Sequence, residues 1–264
     1  MVEITSVKNH LIKEVKSLYK KRDRMKTKSF IIEGIKIIEE AINNGYELKN
    51  IIYSDRFLKT KDGLEFFEII EYMDNLVHVP DNIFKEISDT ENPQGILAIA
   101  KFEFRDLSEL DDREKPFLLF LDELQDPGNM GTIIRTADAF NIDGIILTEG
   151  CVDPYNTKVV RATMGSIFRL PLYYTSNGID ELANLKNKKI KIYSTSLEGS
   201  VPIYDVDYNS GFILVIGNES KGVSDEVFSL SDSLIRIPMP GMAESLNAGV
   251  AASIIMYEGM KQRV

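Results

Sequence analysis

Apolar positions follow two different spacings along the chain, and these spacings predict two α/β units. In residues 5–26, Val7, Leu11, Val15 and Leu18 recur at intervals of three or four, as they do on one face of a helix. Beyond them, short apolar runs alternate with further helical stretches. The apolar runs lie at 30–32, 48–54, 77–79 and 94–100, and the later helices end near residue 44 or lie at 64–73 and 82–87. The pattern predicts a small α/β domain over residues 1–101.

A charged segment separates this domain from the rest of the chain. Residues 102–115 read FEFRDLSELDDREK, have no clean apolar period, and are followed by Pro116. Such composition is typical of a connection between domains. We interpret residues 102–116 as a linker.

The remaining residues, 117–264, predict a mostly parallel sheet covered by helices on both faces. The run FLLFL at 117–121 is apolar at every position, as in strands buried on both sides. Strands alternate with helices as in doubly wound α/β folds. The other predicted strands are 144–147, 190–194, 212–216 and 234–237, and the predicted helices are 129–140, 155–164, 179–185 and a final apolar helix.

Charge is distributed unevenly along the 264 residues. The net charge is -10, yet residues 1–36 hold ten Lys and Arg against four acids, a balance of +6, which leaves −16 for the rest. Such asymmetry points to contact with a polyanion, although a solvated basic helix face gives the same pattern. The single cysteine, Cys151, excludes an internal disulfide, and no signal-peptide core or run of about 20 apolar residues is present. We therefore expect a cytoplasmic protein without a membrane segment.

Several common chemistries lack their residues. His10 and His78 are the only histidines and both lie in the first unit, which excludes a Ser-His-Asp arrangement in the second. No Cys/His cluster predicts a zinc site, and no glycine-rich loop predicts a nucleotide phosphate or dinucleotide site. Scattered carboxylates leave a Mg²⁺ site as an open alternative.

Three polar clusters follow predicted strands of the second unit, where open α/β sheets bind ligands. The first, 122–140, contains Asn129 at a loop–helix junction and Arg135 two turns later; an ordinary helix cap and a surface arginine are the simpler interpretations. The second, 215–224, places Gly217 and Gly222 around Glu219. The sequence thus offers main-chain groups and one acid at a strand end.

The third cluster, IPMPGMAESLNAGVAASIIMYE at 237–258, joins a loop rich in Pro and Gly to the final helix. Ser245 or Asn247 could simply cap that helix. Met239, Met242 and Leu246 are apolar residues in the loop and would suit the lining of an adenine slot.

Taken together, these clusters resemble a known set of three motifs. N-x-G-x-x-x-R at 129–135, IGNESKG at 216–222 and IPM…ESLNAGVA at 237–251 resemble the motifs of the SpoU/TrmH family, RNA 2′-O-ribose methyltransferases of the SPOUT superfamily. The FIIEGIKIIEEA and NPQGILAIA segments of the first unit resemble the family's substrate-binding domain, which is related to ribosomal protein L30e.

The resemblance implies an α/β architecture in which an L30e-like domain precedes a SPOUT domain with a C-terminal trefoil knot. It also implies an S-adenosylmethionine (AdoMet) site and a homodimer formed through the C-terminal domain. We assign no residue to a metal. By family position, the active-site residues are Asn129, Arg135, Glu219, Ser245 and Asn247. The cofactor-binding residues are Thr195, Leu197, Gly199, Ile216, Gly217, Gly222, Ile237, Pro238, Met239, Leu246 and Ala248.

The implied function is methyl transfer from AdoMet to a ribose 2′-hydroxyl in structured RNA, with ribosomal RNA favoured by the L30e-like domain. The alternatives are a tRNA 2′-O-methyltransferase and a non-catalytic RNA-binding or assembly protein on the same fold. The family assigns proton abstraction to the arginine of the first motif, whereas a cation that binds the neighbouring phosphate is physically easier. We expect RNA to be bound by these basic residues: Lys20, Lys21, Arg22, Arg24, Arg135, Lys158, Arg161 and Arg169.

Overall fold

The computed structural model describes residues 2–110, 113–198 and 201–264, and two compact units account for them. The first unit comprises Met1–Glu103 and Tyr155–Phe168, and the second comprises Phe104–Pro154 and Arg169–Val264. In the described part of the chain, no helix combines the length and the apolar character that crossing a membrane requires.

Strands and helices are numbered in chain order. The strands are β1 (Val2–Glu3), β2 (Ser29–Glu33), β3 (Leu48–Ser54), β4 (Leu76–Val79), β5 (Ile96–Lys101), β6 (Phe117–Leu121), β7 (Gly144–Thr148), β8 (Leu172–Thr175), β9 (Lys191–Thr195), β10 (Val201–Pro202), β11 (Phe212–Ile216) and β12 (Ser233–Arg236). The helices are α1 (His10–Ser17), α2 (Lys21–Thr27), α3 (Ile35–Asn43), α4 (Asp55–Leu58), α5 (Lys61–Ile70), α6 (Asp81–Ile87), α7 (Pro127–Ala139), α8 (Thr157–Thr163), α9 (Gly178–Asn187), α10 (Asp225–Leu230) and α11 (Ala248–Lys261).

The first unit contains a mixed five-stranded sheet in the order β1-β4-β3-β5-β2. β1, β4 and β3 are parallel, whereas β5 runs antiparallel to both β3 and β2. Apolar side chains of α1 and α6, including Ile12, Val15 and Phe84, are buried against strand residues such as Ile31 and Leu97. β2 is an edge strand, because it stands last in the strand order. α2 and α8 both pack against it.

The single helix predicted over residues 5–26 is wrong, because the structure has two. α1 ends at Ser17 and α2 begins at Lys21. Arg24 is buried, and its guanidinium donates a 2.7 Å hydrogen bond to the carbonyl of Leu18, next to the end of α1. The last carbonyls of a helix have no partner within it, and the Arg24 side chain supplies one for Leu18 where α1 ends. Apolar spacing alone does not reveal this break.

The second unit contains a seven-stranded sheet in the order β10-β12-β9-β11-β6-β7-β8, and every pair in it is parallel. Side chains of β6 alternate between the faces: Leu118 and Phe120 pack with residues of α9 and α10, whereas Phe117 approaches Gly259 of α11. The predicted parallel sheet with helices on both faces is confirmed. β8, β10 and α10 were not predicted; β10 has two residues and α10 has six, which is too short for a recognisable period.

The segment 155–168 differs from its predicted place. The sequence assigns it to the domain at 117–264, but its contacts group it with the first unit. The Tyr155 ring stacks on Phe102 with centroids 3.8 Å apart and lies 4.8 Å from the Phe30 ring. These aromatic contacts are made across more than fifty residues of sequence, so they are invisible to a local pattern. The boundaries 1–101, 102–116 and 117–264 otherwise stay predictions.

Candidate functional site

The three polar clusters lie at one edge of the seven-stranded sheet. Residues 122–126 follow β6, residues 217–224 follow β11, and residues 237–247 connect β12 to α11. Because all seven strands are parallel, their carboxyl ends lie on the same edge, where this class of fold binds ligands. The predicted convergence of the clusters is therefore present in the backbone.

A chain of hydrogen bonds joins one residue from each cluster. The Asn129 side-chain NH₂ donates to Glu219 Oε1 at 2.9 Å. The Asn129 amide oxygen accepts from the Asn247 side-chain NH₂ at 2.7 Å. Asn129 is buried, and both ends of its amide are used. This Glu219–Asn129–Asn247 chain fixes the relative positions of the loops after β6 and β11 and the start of α11.

Glu219 accepts two further hydrogen bonds from the main chain. The N–H groups of Gln125 and Asp126 donate to its carboxylate at 3.0 and 2.9 Å. Burial raises the pKa of Glu219, but the hydrogen bonds from Asn129, Gln125 and Asp126 outweigh burial and leave the pKa below its usual range. A carboxylate that accepts from three donors and stays ionised is suited to hold a loop and unsuited to take a proton.

The helix-cap interpretations of the two asparagines have opposite outcomes. Asn129 does not cap α7; Asp126 does, and its side chain accepts from the Asn129 N–H at 2.8 Å. Asn247 does cap α11, since its side-chain oxygen accepts from the Val250 N–H at 3.2 Å. Asn247 therefore uses one end of its amide for the helix and the other for Asn129.

Small residues allow α11 to approach α7 closely enough for that contact. A Cβ added at Gly249 would lie 3.2 Å from Thr132 Cβ. One turn later, the hydroxyls of Thr136 and Ser253 lie 3.1 Å apart. This close packing brings the first turn of α11 beside the first turn of α7.

The loop after β11 is a tight turn that requires glycine at two positions. The main chains of Asn218 and Gly222 exchange two hydrogen bonds of 2.9 Å, and Gly222 has a φ of +75°. Asn218 was missed by sequence reasoning: its side chain accepts from the N–H groups of Ser220 and Lys221 and donates to the Glu123 carbonyl. An asparagine two residues before a serine in a glycine-flanked turn is the available signal for such an Asx turn.

Gly217 has no room for a side chain, and Gly217→Ala tests this. An ideal Cβ would lie 2.2 Å from both the Gly222 carbonyl carbon and the Val223 nitrogen. Because these are main-chain atoms, the loop must move, and we expect a loss of about 1–3 kcal/mol in the free energy of unfolding. Urea denaturation measures it. Gly241→Ala is the control, since nothing lies within 4 Å of its added Cβ; equal stability of the two variants would contradict the steric argument.

Arg135 and Ser245 do not join the hydrogen-bonded chain. Arg135 lies on α7 and is exposed, as its interpretation as a surface arginine predicts. Ser245 is exposed in the loop before α11. Both roles assigned to them by family position stay predictions.

The predicted cofactor residues lie along the same edge with different exposures. Thr195 donates to the Val215 carbonyl at 3.0 Å and Ile216 is buried, so both residues stabilise the strand ends from which the loops start. Leu197 is 66% exposed and Leu246 is 37% exposed, which leaves apolar surface free at the edge. Ile237, Met239 and Ala248 are half-buried, Pro238 and Gly222 are exposed, and Gly199 lies outside the described residues. Met242 is fully exposed, so its predicted place in an apolar lining is not seen.

A cavity of about 530 Å³ lies on the opposite face of the sheet from α7 and α11. Phe120 and Val227 line it, and both belong to the core on the side of α9 and α10. The rest of its lining consists of Asp122, Glu123, Thr148, Glu149, Gly150, Ser176, Gly178, Ile179, Ser224 and Glu226. None of the predicted site residues is among them. Within the described residues, no group of three or more His, Cys, Asp or Glu side chains could hold a metal ion.

Two parts of the sequence match known protein families. Residues 116–257 match the SpoU rRNA Methylase family, and residues 9–98 match the MRM3-like substrate binding domain. Over 97% of this chain and 98% of the relative, the sequence is 34% identical to the 23S rRNA (guanosine(2553)-2′-O)-methyltransferase RlmP of Bacillus subtilis. Over 91% and 85%, it is 29% identical to the 23S rRNA (uridine(2479)-2′-O)-methyltransferase of Streptomyces viridochromogenes. The AdoMet-bound rRNA methyltransferase from Sinorhizobium meliloti superposes with a TM-score of 0.86 at 31% identity, covering 99% of this chain and 98% of that one.

Proposed function

The chain belongs to the SpoU rRNA Methylase family, and we propose that it transfers a methyl group from AdoMet to a ribose 2′-hydroxyl of ribosomal RNA. The observation that carries the proposal is the Glu219–Asn129–Asn247 chain, which ties the three motifs together at the ligand-binding edge. Ribosomal RNA is favoured over transfer RNA because the two relatives compared act on 23S rRNA and a substrate-binding domain precedes the methylase segment.

The alternative of a non-catalytic RNA-binding protein is less well supported. A protein that only binds RNA has no need for three loops held together through one buried amide. Here Asn129 is buried with both amide ends occupied, and exposed Arg135 follows it on the same helix. The arrangement is one that an enzyme needs in order to hold two ligands in line.

The chemistry asks the protein mainly for alignment. AdoMet supplies a methyl group already activated by its sulfonium, so the 2′-oxygen must be placed in line behind that methyl. Well-aligned geometry can supply about 7–11 kcal/mol of the barrier. We assign alignment of the nucleotide to Arg135, exposed on α7, and to Ser245, exposed in the loop before α11. Alignment of the loops is assigned to Glu219, Asn129 and Asn247.

The cofactor is expected to bind to main-chain groups and apolar side chains of three loops. Gly217 is buried, and its lack of a side chain lets the main chain of Gly222 and Val223 pack directly against it, which fixes the shape of the loop. Leu197 and Leu246 offer exposed apolar surface for an adenine ring. Among the described residues, 195–198, 216–222 and 237–248 together form the proposed cofactor site.

We also propose the trefoil knot that the family implies. β9 lies between β12 and β11, so the chain leaving β12 must return across β9 and β11 to bring α11 beside α7. The loops that leave β9 and β11 start from this same edge, since the strands are parallel. A knot requires the terminal segment to thread through one of these loops, and that is the path we propose for the chain between β12 and α11.

A homodimer is supported by an apolar stripe on the last helix. Val250, Ile254 and Tyr257 are 46%, 37% and 52% exposed and recur at intervals of four and three on α11. The stripe starts next to Asn247 and so continues directly from the candidate site. Its proposed occupant is the same helix of a second copy, because a two-fold interface pairs a patch with itself.

Ile254→Asp is expected to convert the dimer to a monomer, since it puts a charge in the centre of the stripe. Sedimentation velocity measures the change. Leu64→Asp is the matched control, because Leu64 is 51% exposed on α5, and it should leave the mass of the particle unchanged. A wild-type protein that sediments as a monomer, or an Ile254→Asp variant that stays dimeric, would refute the assignment.

Two measurements test the proposed function itself. Calorimetry with AdoMet should show binding to one site per chain. A map of ribose methylation in cellular RNA, with and without the gene, should show the loss of a ribosomal site. We place the reaction in the cytoplasm. AdoMet binding without any lost methylation would favour the non-catalytic alternative, and a lost tRNA site would favour the tRNA enzyme.

A further inference from the structure

Basic residues from two distant parts of the sequence meet at the β2 edge of the first unit. α2 and α8 both pack against β2, which is an edge strand. Lys21 and Arg22 lie on α2, Lys20 and Lys28 lie directly before and after it, and all four are exposed. Lys158 is exposed on α8, and the Arg161 side chain is 36% exposed. We call these six residues the β2-edge surface.

The C-terminal end of α2 is connected through an aromatic pair to the segment that carries α8, and its start is held by α6. At its end, the Lys28 ammonium lies 5.7 Å from the centroid of the Phe102 ring, on which Tyr155 stacks. At its start, Tyr19 precedes Lys20 and donates a 2.6 Å hydrogen bond to the Ile87 carbonyl. Burial raises the pKa of Tyr19, Glu33 and Asp89 raise it further, and the Arg161 guanidinium lowers it. The two basic segments are therefore parts of one surface.

Two of the basic residues expected to bind RNA are engaged elsewhere. Arg24 is buried and donates to the Leu18 carbonyl. Arg169 lies in the second unit, where its guanidinium forks onto Asp138 with a shortest distance of 2.8 Å. The predicted role of Arg24 in RNA contact is wrong, because its guanidinium has no access to a phosphate.

One acidic residue occupies the position where an anion would bind. Asp89 accepts from the Thr157 hydroxyl at 3.1 Å and lies 3.5 Å from the Arg161 guanidinium. Its neighbours are fixed, since the hydroxyls of Ser88 and Thr90 donate to Glu33 at 2.6 and 2.7 Å. Asp89 itself is held only by exposed contacts, and such ion pairs are worth little in water. A backbone phosphodiester has two non-bridging oxygens that accept hydrogen bonds, and these can take the same two donors, the Thr157 hydroxyl and the Arg161 guanidinium.

We infer that the RNA phosphate backbone binds along the β2-edge surface, and that one phosphate replaces Asp89 at Arg161 and Thr157. The inference rests on the proposed function for the identity of the polyanion. Three acidic residues, Asp23, Glu33 and Asp89, lie near the six basic residues of the β2-edge surface. The difference leaves three positive charges in excess. The rest of the chain is strongly acidic, so the β2-edge surface gives RNA a defined side on which to bind.

Binding of an unmodified 23S rRNA transcript over a range of salt concentrations tests the inference. The Lys20, Lys21, Arg22→Ala variant and the Lys158, Arg161→Ala variant should each bind more weakly, and the slope of log affinity against log salt should fall by about one for each phosphate that is no longer bound. Asp89→Asn should raise affinity several-fold, because it removes the competing charge and keeps the shape. Lys59, Lys61, Lys85→Ala is the matched control on exposed lysines of the same unit and should change neither quantity.

The outcomes separate this inference from the proposed function. Wild-type affinity and slope in both basic variants would overturn the surface, provided that the wild-type protein binds AdoMet and methylates the transcript. Weaker binding by Asp89→Asn would overturn the replacement of Asp89 by phosphate. Failure of the wild-type protein to bind AdoMet would instead refute the proposed function. AdoMet calorimetry and thermal unfolding of each variant exclude loss of folding as the cause.

Discussion

Glu219→Ala is expected to lower methyl transfer by at least about a hundredfold and to destabilise the second unit. The Glu219 carboxylate accepts from Asn129 and from the N–H groups of Gln125 and Asp126, and the substitution removes all three bonds together. Hydrogen bonds to a charged group contribute about 1.5–3 kcal/mol each where they are well formed, and those of Glu219 are partly solvated, so we expect a loss of about 2–3 kcal/mol in the free energy of unfolding. A shift of about 1 Å in the aligned groups is enough to cost a hundredfold in rate.

Single-turnover kinetics, AdoMet calorimetry and urea denaturation measure the three effects. Glu219→Gln should be intermediate, since its amide oxygen can keep two of the donors while its NH₂ faces the third. Glu123→Gln removes a charge from the same edge and is the control, because its carboxylate only meets Lys221 at 3.9 Å. If Glu219→Ala keeps the wild-type rate, the hydrogen-bonded chain has no part in alignment.

The same carboxylate gives a pH dependence of known sign. The folded-state pKa of Glu219 lies below its usual range, so its ionised form stabilises the folded state above the unfolded pKa. That stability is lost as pH falls through the folded pKa, in the acidic range. Wild type and Glu219→Gln should therefore converge in stability at low pH, which urea denaturation at several pH values would detect.

The sequence predicts the second unit well where apolar runs are long. Leu118 and Phe120 fill one face of the sheet and Phe117 the other, so a run with no polar position correctly indicated a buried parallel strand. The short elements are not predicted, because they contain too few residues to show a pattern. β10 consists only of Val201 and Pro202, and its pairing with β12, not its propensity, makes it a strand. The break between α1 and α2 depends on Arg24 and Leu18, whose hydrogen bond no periodicity encodes.

For the candidate site, motif order predicts the convergence of the loops but not the atoms that join them. Asn129 could be expected at a helix start, yet Asp126 is the cap and leaves the Asn129 amide for Glu219 and Asn247. Strand order decides this, because β11 pairs with β6 and so brings the two loops side by side. The partners Gln125 and Asp126 donate through main-chain N–H groups, which every residue except proline has. Residue type therefore cannot predict these two hydrogen bonds.

Arg135→Lys is expected to lower the rate of methyl transfer by about a hundredfold to ten-thousandfold while AdoMet affinity stays the same. Removal of a group that handles or positions the reacting proton typically has an effect of this size. Lysine keeps the charge, but it loses the planar fork with which arginine binds a phosphate. Arg135 is exposed on α7 and outside the Glu219–Asn129–Asn247 chain, so its replacement should leave the loops in place. Arg169→Lys is the control, because that guanidinium is already used by Asp138.

The pH dependence of the single-turnover rate separates the two possible roles of Arg135. A positioning cation leaves the rate flat across neutral pH, since guanidinium groups stay protonated there. A group that takes the 2′-hydroxyl proton must itself be deprotonated first, so a rate that depends on such a base would rise with pH. A flat profile in wild type together with a slow, equally flat Arg135→Lys variant would assign Arg135 to binding the phosphate and orienting the ribose. A wild-type rate in Arg135→Lys would remove the guanidinium from both roles and leave Ser245, exposed at the same edge, as the next residue to replace.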